Sequence, residues 1–129
     1  MPRHPAQNPH VPEGRYEAIV HAVKVWTYGK RDNHDEDLLV RIVLFLPDGN
    51  RFIVSDIDLP KIDRKVSFQR LQQFAKALGL NPMSILKDPN LANGRQLRVH
   101  IKPIDAQVSR AGRWYSDVHA FERCPEDET

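Results

Sequence analysis

Between Leu38 and Leu59 the chain reads LLVRIVLFLPDGNRFIVSDIDL, two apolar runs joined by Pro-Asp-Gly-Asn. Asp-Gly between β-branched and aromatic runs is a strong local signal for a β-hairpin. Successive strand side chains point to opposite faces, so a hairpin with one buried face shows polar residues at every second position. These runs carry apolar residues on both parities. A chain of 129 residues has room for one modest core. One face of the hairpin lines that core, and the other needs an occupant of its own.

With Asp48-Gly49 at the turn, Leu46 pairs with Arg51, Phe45 with Phe52 and Leu44 with Ile53. One face then collects Leu38, Val40, Ile42, Leu44, Ile53, Ile57 and Leu59, the expected core side. The other collects Leu39, Arg41, Val43, Phe45, Phe52 and Val54, with Asp56 and Asp58 at the far end. Two readings of this outer face stand open. Apolar outer faces mark interfaces, so it packs on the N-terminal arm or on another subunit. Alternatively, nucleic-acid bases stack on Phe45 and Phe52 beside the cation Arg41.

The flanking segments supply the remaining elements. Residues 1 to 13 hold Pro2, Pro5, Pro9 and Pro12 with little that is apolar, which reads as an extended or disordered arm. Residues 124 to 129 form a short acidic tail, leaving 14 to 123 as the folded unit. Arg15 to Thr27 is a long β-branched run and a first strand, with Ile19, Val23 and Val25 on one parity and Lys24 and Trp26 on the other. From Ser67 to Leu80 the period changes: Phe68, Leu71, Phe74 or Ala75, and Leu78 recur at helical spacing, and Gly79 stands where a left-handed cap belongs. Asn81 to Leu86 reads as one further helical turn with Pro82 at its first position. Asn93 to Lys102 opens on Asn-Gly and alternates Leu97, Val99 and Ile101 inward with Arg98, His100 and Lys102 outward. Trp114 to Glu122 is the last strand.

Three strands, a helix and two strands make an all-β chain with one main helix, the β-β-β-α-β-β layout of a five-stranded OB-fold barrel. Barrel closure would also remove the exposed edges of an open sheet. A five-stranded α+β sandwich fits the same string less well. On the barrel reading the helix residues Phe68, Leu71 and Leu78 plug an open end.

Charge is informative only locally. The total is 19 Lys and Arg against 17 Asp and Glu, a formal net charge of +2 that names no partner. Between residues 95 and 115, however, Arg95, Arg98, Lys102, Arg110 and Arg113 stand against Asp105 alone. This run ends beside Trp114 and Tyr115. Trp114 shares parity with Val118 and Ala120 and is assigned to the core, leaving Tyr115 to stack. The loop after the first strand similarly joins Trp26 and Tyr28 to Lys30 and Arg31. In an OB barrel these two loops flank the binding groove.

Catalytic signatures are missing. No phosphate-binding glycine loop, HExxH or GxSxG occurs, and the six histidines and single cysteine lack metal-ligand spacing. His21, His100 and His119 converge only if three strands align, and surface imidazoles beside arginines are the simpler account. His34 to Asp37 is a solvated acidic loop. Asp56 and Asp58 share a strand face as a two-metal nuclease would require, but an Arg41–Asp56 pair across the hairpin explains them more simply. The lone Cys124 fits a reducing compartment, no apolar run reaches the roughly 18 residues of a membrane span, and the N-terminal residues lack a secretory pattern. The expectation is a cytoplasmic protein with no cofactor and no membrane partner.

The segments EGRYEAIVHAVKV, a lone helix ending LGL, DPNLANGRQLRVHI and GRWYSDVHAF resemble phage-type single-stranded-DNA-binding proteins with an OB-fold. In that group Gly-x-Tyr (here Gly14, Arg15, Tyr16) starts the first strand, Leu-x-Gly-Lys/Arg-x-Leu-x-Val opens the fourth, and an aromatic-containing strand closes the barrel. The resemblance covers Gly14 to Phe121. Leu-Ala-Asn-Gly-Arg is one residue longer than the family's turn, and the acidic tail lacks the terminal hydrophobic residue of bacterial single-strand binders. The resemblance implies non-catalytic binding of single strands in replication or recombination.

The expected function is therefore binding of single-stranded DNA with little sequence preference, with RNA not distinguished. Lys24, Lys30, Arg31, Arg41, Arg98, Lys102, Arg110 and Arg113 would hold phosphates. Trp26, Tyr28, Phe45, Phe52 and Tyr115 would stack bases. The alternatives are a protein-interaction OB module whose Phe45/Phe52 face docks a partner or a second copy, and a nuclease built on Asp56 and Asp58.

Overall fold

β-branched and aromatic residues at period two build five strands, and the computed structural model places them in one antiparallel sheet. It describes residues 11–27, 38–59, 64–103 and 116–125. The elements are β1 (Gly14–Thr27), β2 (Leu38–Leu46), β3 (Arg51–Leu59), α1 (Arg64–Leu78), α2 (Pro82–Lys87), a 3-10 turn (Pro89–Ala92), β4 (Gln96–Pro103) and β5 (Ser116–Glu122). The strand order is β3-β2-β1-β4-β5. The sheet curls strongly into a half-barrel, and its two ends, β3 and β5, come into contact over α1.

β1 is shared between two halves. Ile19 pairs with Phe45 of β2 and with Gln96 of β4. Before it the register of β1 is with β4, starting at Gly14 opposite Ile101, and after it with β2, ending at Thr27 opposite Leu38. A bulge interrupts the β1–β2 register between Val20 and Ala22. It corrects the expected parity of β1: Ala18, Val20 and Val23 are buried, while Ile19 falls on the outer face. One extra residue reverses which side chains point inward.

The hairpin register is the expected one, Leu46 to Arg51, Phe45 to Phe52 and Leu44 to Ile53. The turn differs in detail. Positive φ falls on Gly49 (86°) and Asn50 (50°) rather than on Asp48 and Gly49; Asn is among the residues that tolerate this region.

The core lies inside the curl. Val40, Ile42, Leu44, Leu46, Ile53, Ile57 and Leu59 from the hairpin join Leu97, Val99 and Ile101 of β4, and Val118 and Phe121 of β5. Leu38 is half-buried against them. In β5 a register shift opposite His100 and Ile101 puts both Val118 and Phe121 inside and leaves Ala120 only partly buried, against the simple alternation. Val11, at the end of the expected arm, is fully buried in the core, and the Tyr16 hydroxyl donates to the Pro12 carbonyl at 2.7 Å. The fold therefore begins before Gly14.

α1 starts at Arg64 and ends at Leu78, earlier at both ends than the apolar spacing suggests. Its end is set by Gly79 at φ 75°, with Leu80 N–H donating to Ala75 and Gly79 N–H to Lys76, the paired bonds of a Schellman cap. Leu71, Phe74, Ala75 and Leu78 are buried and Phe68 is half-buried against the core. The Phe74 ring meets Phe121 edge-on at 5.1 Å. Arg70 fastens the seam: its guanidinium donates to Ser55 Oγ of β3 and to the Val118 and His119 carbonyls of β5. Gln73 Oε1 accepts from Phe121 N–H.

Candidate nucleic-acid interface

The outer face is built from rows that run across the strands. Ile19, Phe45 and Phe52 form one row; Ala22, Val43 and Val54 the next; Lys24, Arg41 and Asp56 the third; Trp26, Leu39 and Asp58 the last. Backbone pairing on both sides of β2 fixes the spacing of these side chains, which a loop would not do.

In the first row the Phe45 and Phe52 rings lie 5.1 Å apart at a tilt of 55°, within the range of favourable aromatic pairs. Phe52 is 47% exposed. His21, at the bulge of β1, sets its ring edge against Phe52 at 5.0 Å. Sequence reasoning missed His21 here because alternation cannot show a bulge. The result is a cluster of three rings on paired strands, with His21 and Phe52 exposed and Phe45 half-buried.

The third and fourth rows form a second cluster. Arg41 Nε and Nη2 donate to Asp56 Oδ1 and Oδ2, each at 2.8 Å. Hydrogen bonding to Asp56 raises the Arg41 pKa, partial burial opposes the rise, and the Asp56 charge adds to it. The guanidinium carbon lies 5.8 Å from the Trp26 ring centroid. Trp26 is 36% exposed and Lys24 is exposed beside it. Leu39 is the main correction to the outer face: it is fully buried, outside the core cluster.

β4 carries Arg98 and Lys102 apart from both clusters. Arg98 stands between Glu17 of β1 and Glu122 of β5 in the register, so two carboxylates flank it. Lys102 lies toward the end of β4 that pairs with the start of β1. Tyr28, Lys30, Arg31, Arg110, Arg113, Trp114 and Tyr115 lie outside the described residues. The anchors of their loops do not: one leaves β1 at Thr27 and the other leaves β4 beside Gly14, so the two loops depart from opposite ends of β1. Arg95 is used structurally, donating to the Leu78 and Leu91 carbonyls.

The metal-based readings meet a different geometry. His100 and His119 do approach, with ring centroids 5.5 Å apart, but His21 sits with Phe52 instead. Both carboxylate oxygens of Asp56 accept from Arg41, which engages that carboxylate in an ion pair. Among the described residues no three His, Cys, Asp or Glu side chains gather as metal ligands. One shallow groove runs along Gln73, Ala77 and Phe121, and another along Ala18, Ile19, Pro47 and Gln96, meeting the first row at Ile19. Neither includes the exposed aromatic residues. Among the described residues no helix is long and apolar enough to cross a membrane.

Comparison with protein-family models gives no match to this chain, and comparison with curated protein sequences gives none either.

Proposed function

We propose that the curled sheet is an OB-fold and that its outer hairpin face binds single-stranded DNA in the cytoplasm, with little sequence preference, in replication or recombination. The observation that carries the reading is the cluster of Phe45, Phe52 and His21, three rings held on paired strands with Phe52 half in solvent. Every base has a flat face, so aromatic rings bind single strands without reading sequence. Lys24 is the exposed cation nearest in the register to Trp26, and Lys30, Arg31, Arg110 and Arg113 are further phosphate-holding candidates on sequence grounds. The contact of β3 with β5 over α1 supports the barrel reading. No catalytic step belongs to this function.

A protein-docking reading of the same face is favoured by one observation. The rows of Ile19, Phe45 and Phe52 and of Ala22, Val43 and Val54 contain no charged residue, as the centre of a subunit contact would.

The Phe45→Ala/Phe52→Ala double variant separates the two. Base stacking is worth roughly 1–3 kcal/mol per base by alanine substitution, so affinity for an oligo-dT strand falls at least about tenfold while circular dichroism stays that of the parent. If the face is a subunit contact, sedimentation changes instead. Intact folding with unchanged affinity and unchanged mass would exclude both.

A further inference from the structure

Arg41 stands where the outer face offers a cation, yet its geometry is that of a support. Two parallel hydrogen bonds to Asp56, each 2.8 Å, fix the plane of the guanidinium as a single contact would not. Both partners are largely shielded, with side-chain exposures of 25% and 17%. That fixed cation lies 5.8 Å from the Trp26 ring centroid, within cation–π reach. Beside them Leu39, the residue paired with Trp26, is fully buried. The indole therefore has a charged neighbour on β2 held by two hydrogen bonds, and its cross-strand partner is a buried leucine. A surface held rigid before binding gives up less freedom when a base lands on it. The Arg41–Asp56 pair, being neutral as a unit, offers little to a phosphate.

We infer that Arg41, locked by Asp56, is a positioning residue that holds Trp26 as a second base-stacking surface, separate from the Phe45/Phe52 pair, and does not itself bind phosphate. This rests on the single-strand reading of the face. Leu39 and Phe45 are six residues apart on β2, so the two surfaces stand about 20 Å apart along the strand. At the stacked rise of about 3.4 Å per nucleotide, a strand touching both spans roughly six nucleotides.

The test uses the 129-residue chain carrying Trp114→Phe, so that Trp26 is its sole tryptophan, titrated with dT15. Asp56→Asn removes a negative charge and one of the two acceptor oxygens of the fork. The expected result is a loss of affinity of about fivefold or more, with a smaller quench of Trp26 emission per bound strand, despite the rise in net charge. Arg41→Lys keeps the charge without the planar fork and is expected to lose as much. Thermal melts fix a temperature at which each variant is folded, and if one does not fold the other decides. Tighter binding by Asp56→Asn with a salt slope steeper by about 0.7, or parental binding by Arg41→Lys, would make Arg41 a phosphate ligand and overturn the inference alone. A parent that does not bind dT15 at any salt concentration overturns the single-strand reading and this inference with it.

Discussion

Leu39 lies on the outer face, between Trp26 and Asp58 in neighbouring strands, and is nevertheless fully buried. Its truncation should behave as a core change: Leu39→Ala costs about 2–5 kcal/mol in a denaturant titration. A loss below about 1 kcal/mol would return it to the surface. Alternation gave the parity of Leu39 correctly and its burial wrongly, because burial depends on what covers a face and parity does not. Phe52 shows the other outcome, outward by parity and half in solvent. Ile19 and His21 were illegible for one reason: the bulge between Val20 and Ala22 follows from strand pairing over long range, which no local pattern records. The Arg41–Asp56 pair was legible, since the hairpin register places the two directly opposite. What that register could not show was the Trp26 ring beside them, because that contact needs β1 and β2 aligned.

At the scale of elements, β2 and β3 have the bounds and pairing that the Asp-Gly turn implies. Hairpin register is set by a short turn, so it is written locally. α1 was visible as a period and not as a boundary. Arg64 to Ser67 precede its first apolar periodic residue, and the cap bonds at Gly79 end it before Leu80. The helix is expected to matter for closure, since Leu71 and Phe74 are fully buried and Arg70 reaches both β3 and β5. Leu71→Ala should cost roughly 2–5 kcal/mol by chemical denaturation. A cost below about 1 kcal/mol would make α1 peripheral to the curled sheet. The seam itself could not be read in advance: nothing near Arg70 in the sequence names Ser55, Val118 or His119 as its partners.

Over the whole molecule, strand count and the position of the helix were legible, because periods of two and near four are written residue by residue. How cations and rings gather was less so. Arg98 proved to be flanked by two carboxylates, and Lys102 stands away from both aromatic clusters, since β4 pairs with the opposite half of β1. That division of β1 at Ile19 also has a consequence in time. β1, β2 and β3 pair with their neighbours in sequence, whereas pairing Gly14 with Ile101 must close most of the chain into a loop. Local pairings form early because long loops are slow to close. In pulse-labelled hydrogen exchange during refolding, the β2 and β3 amides should gain protection before those of β4 and β5; simultaneous protection of all five strands would refute this order. The aromatic face would then be assembled while the interior beneath it still lacks its second wall, ahead of the stability that keeps it.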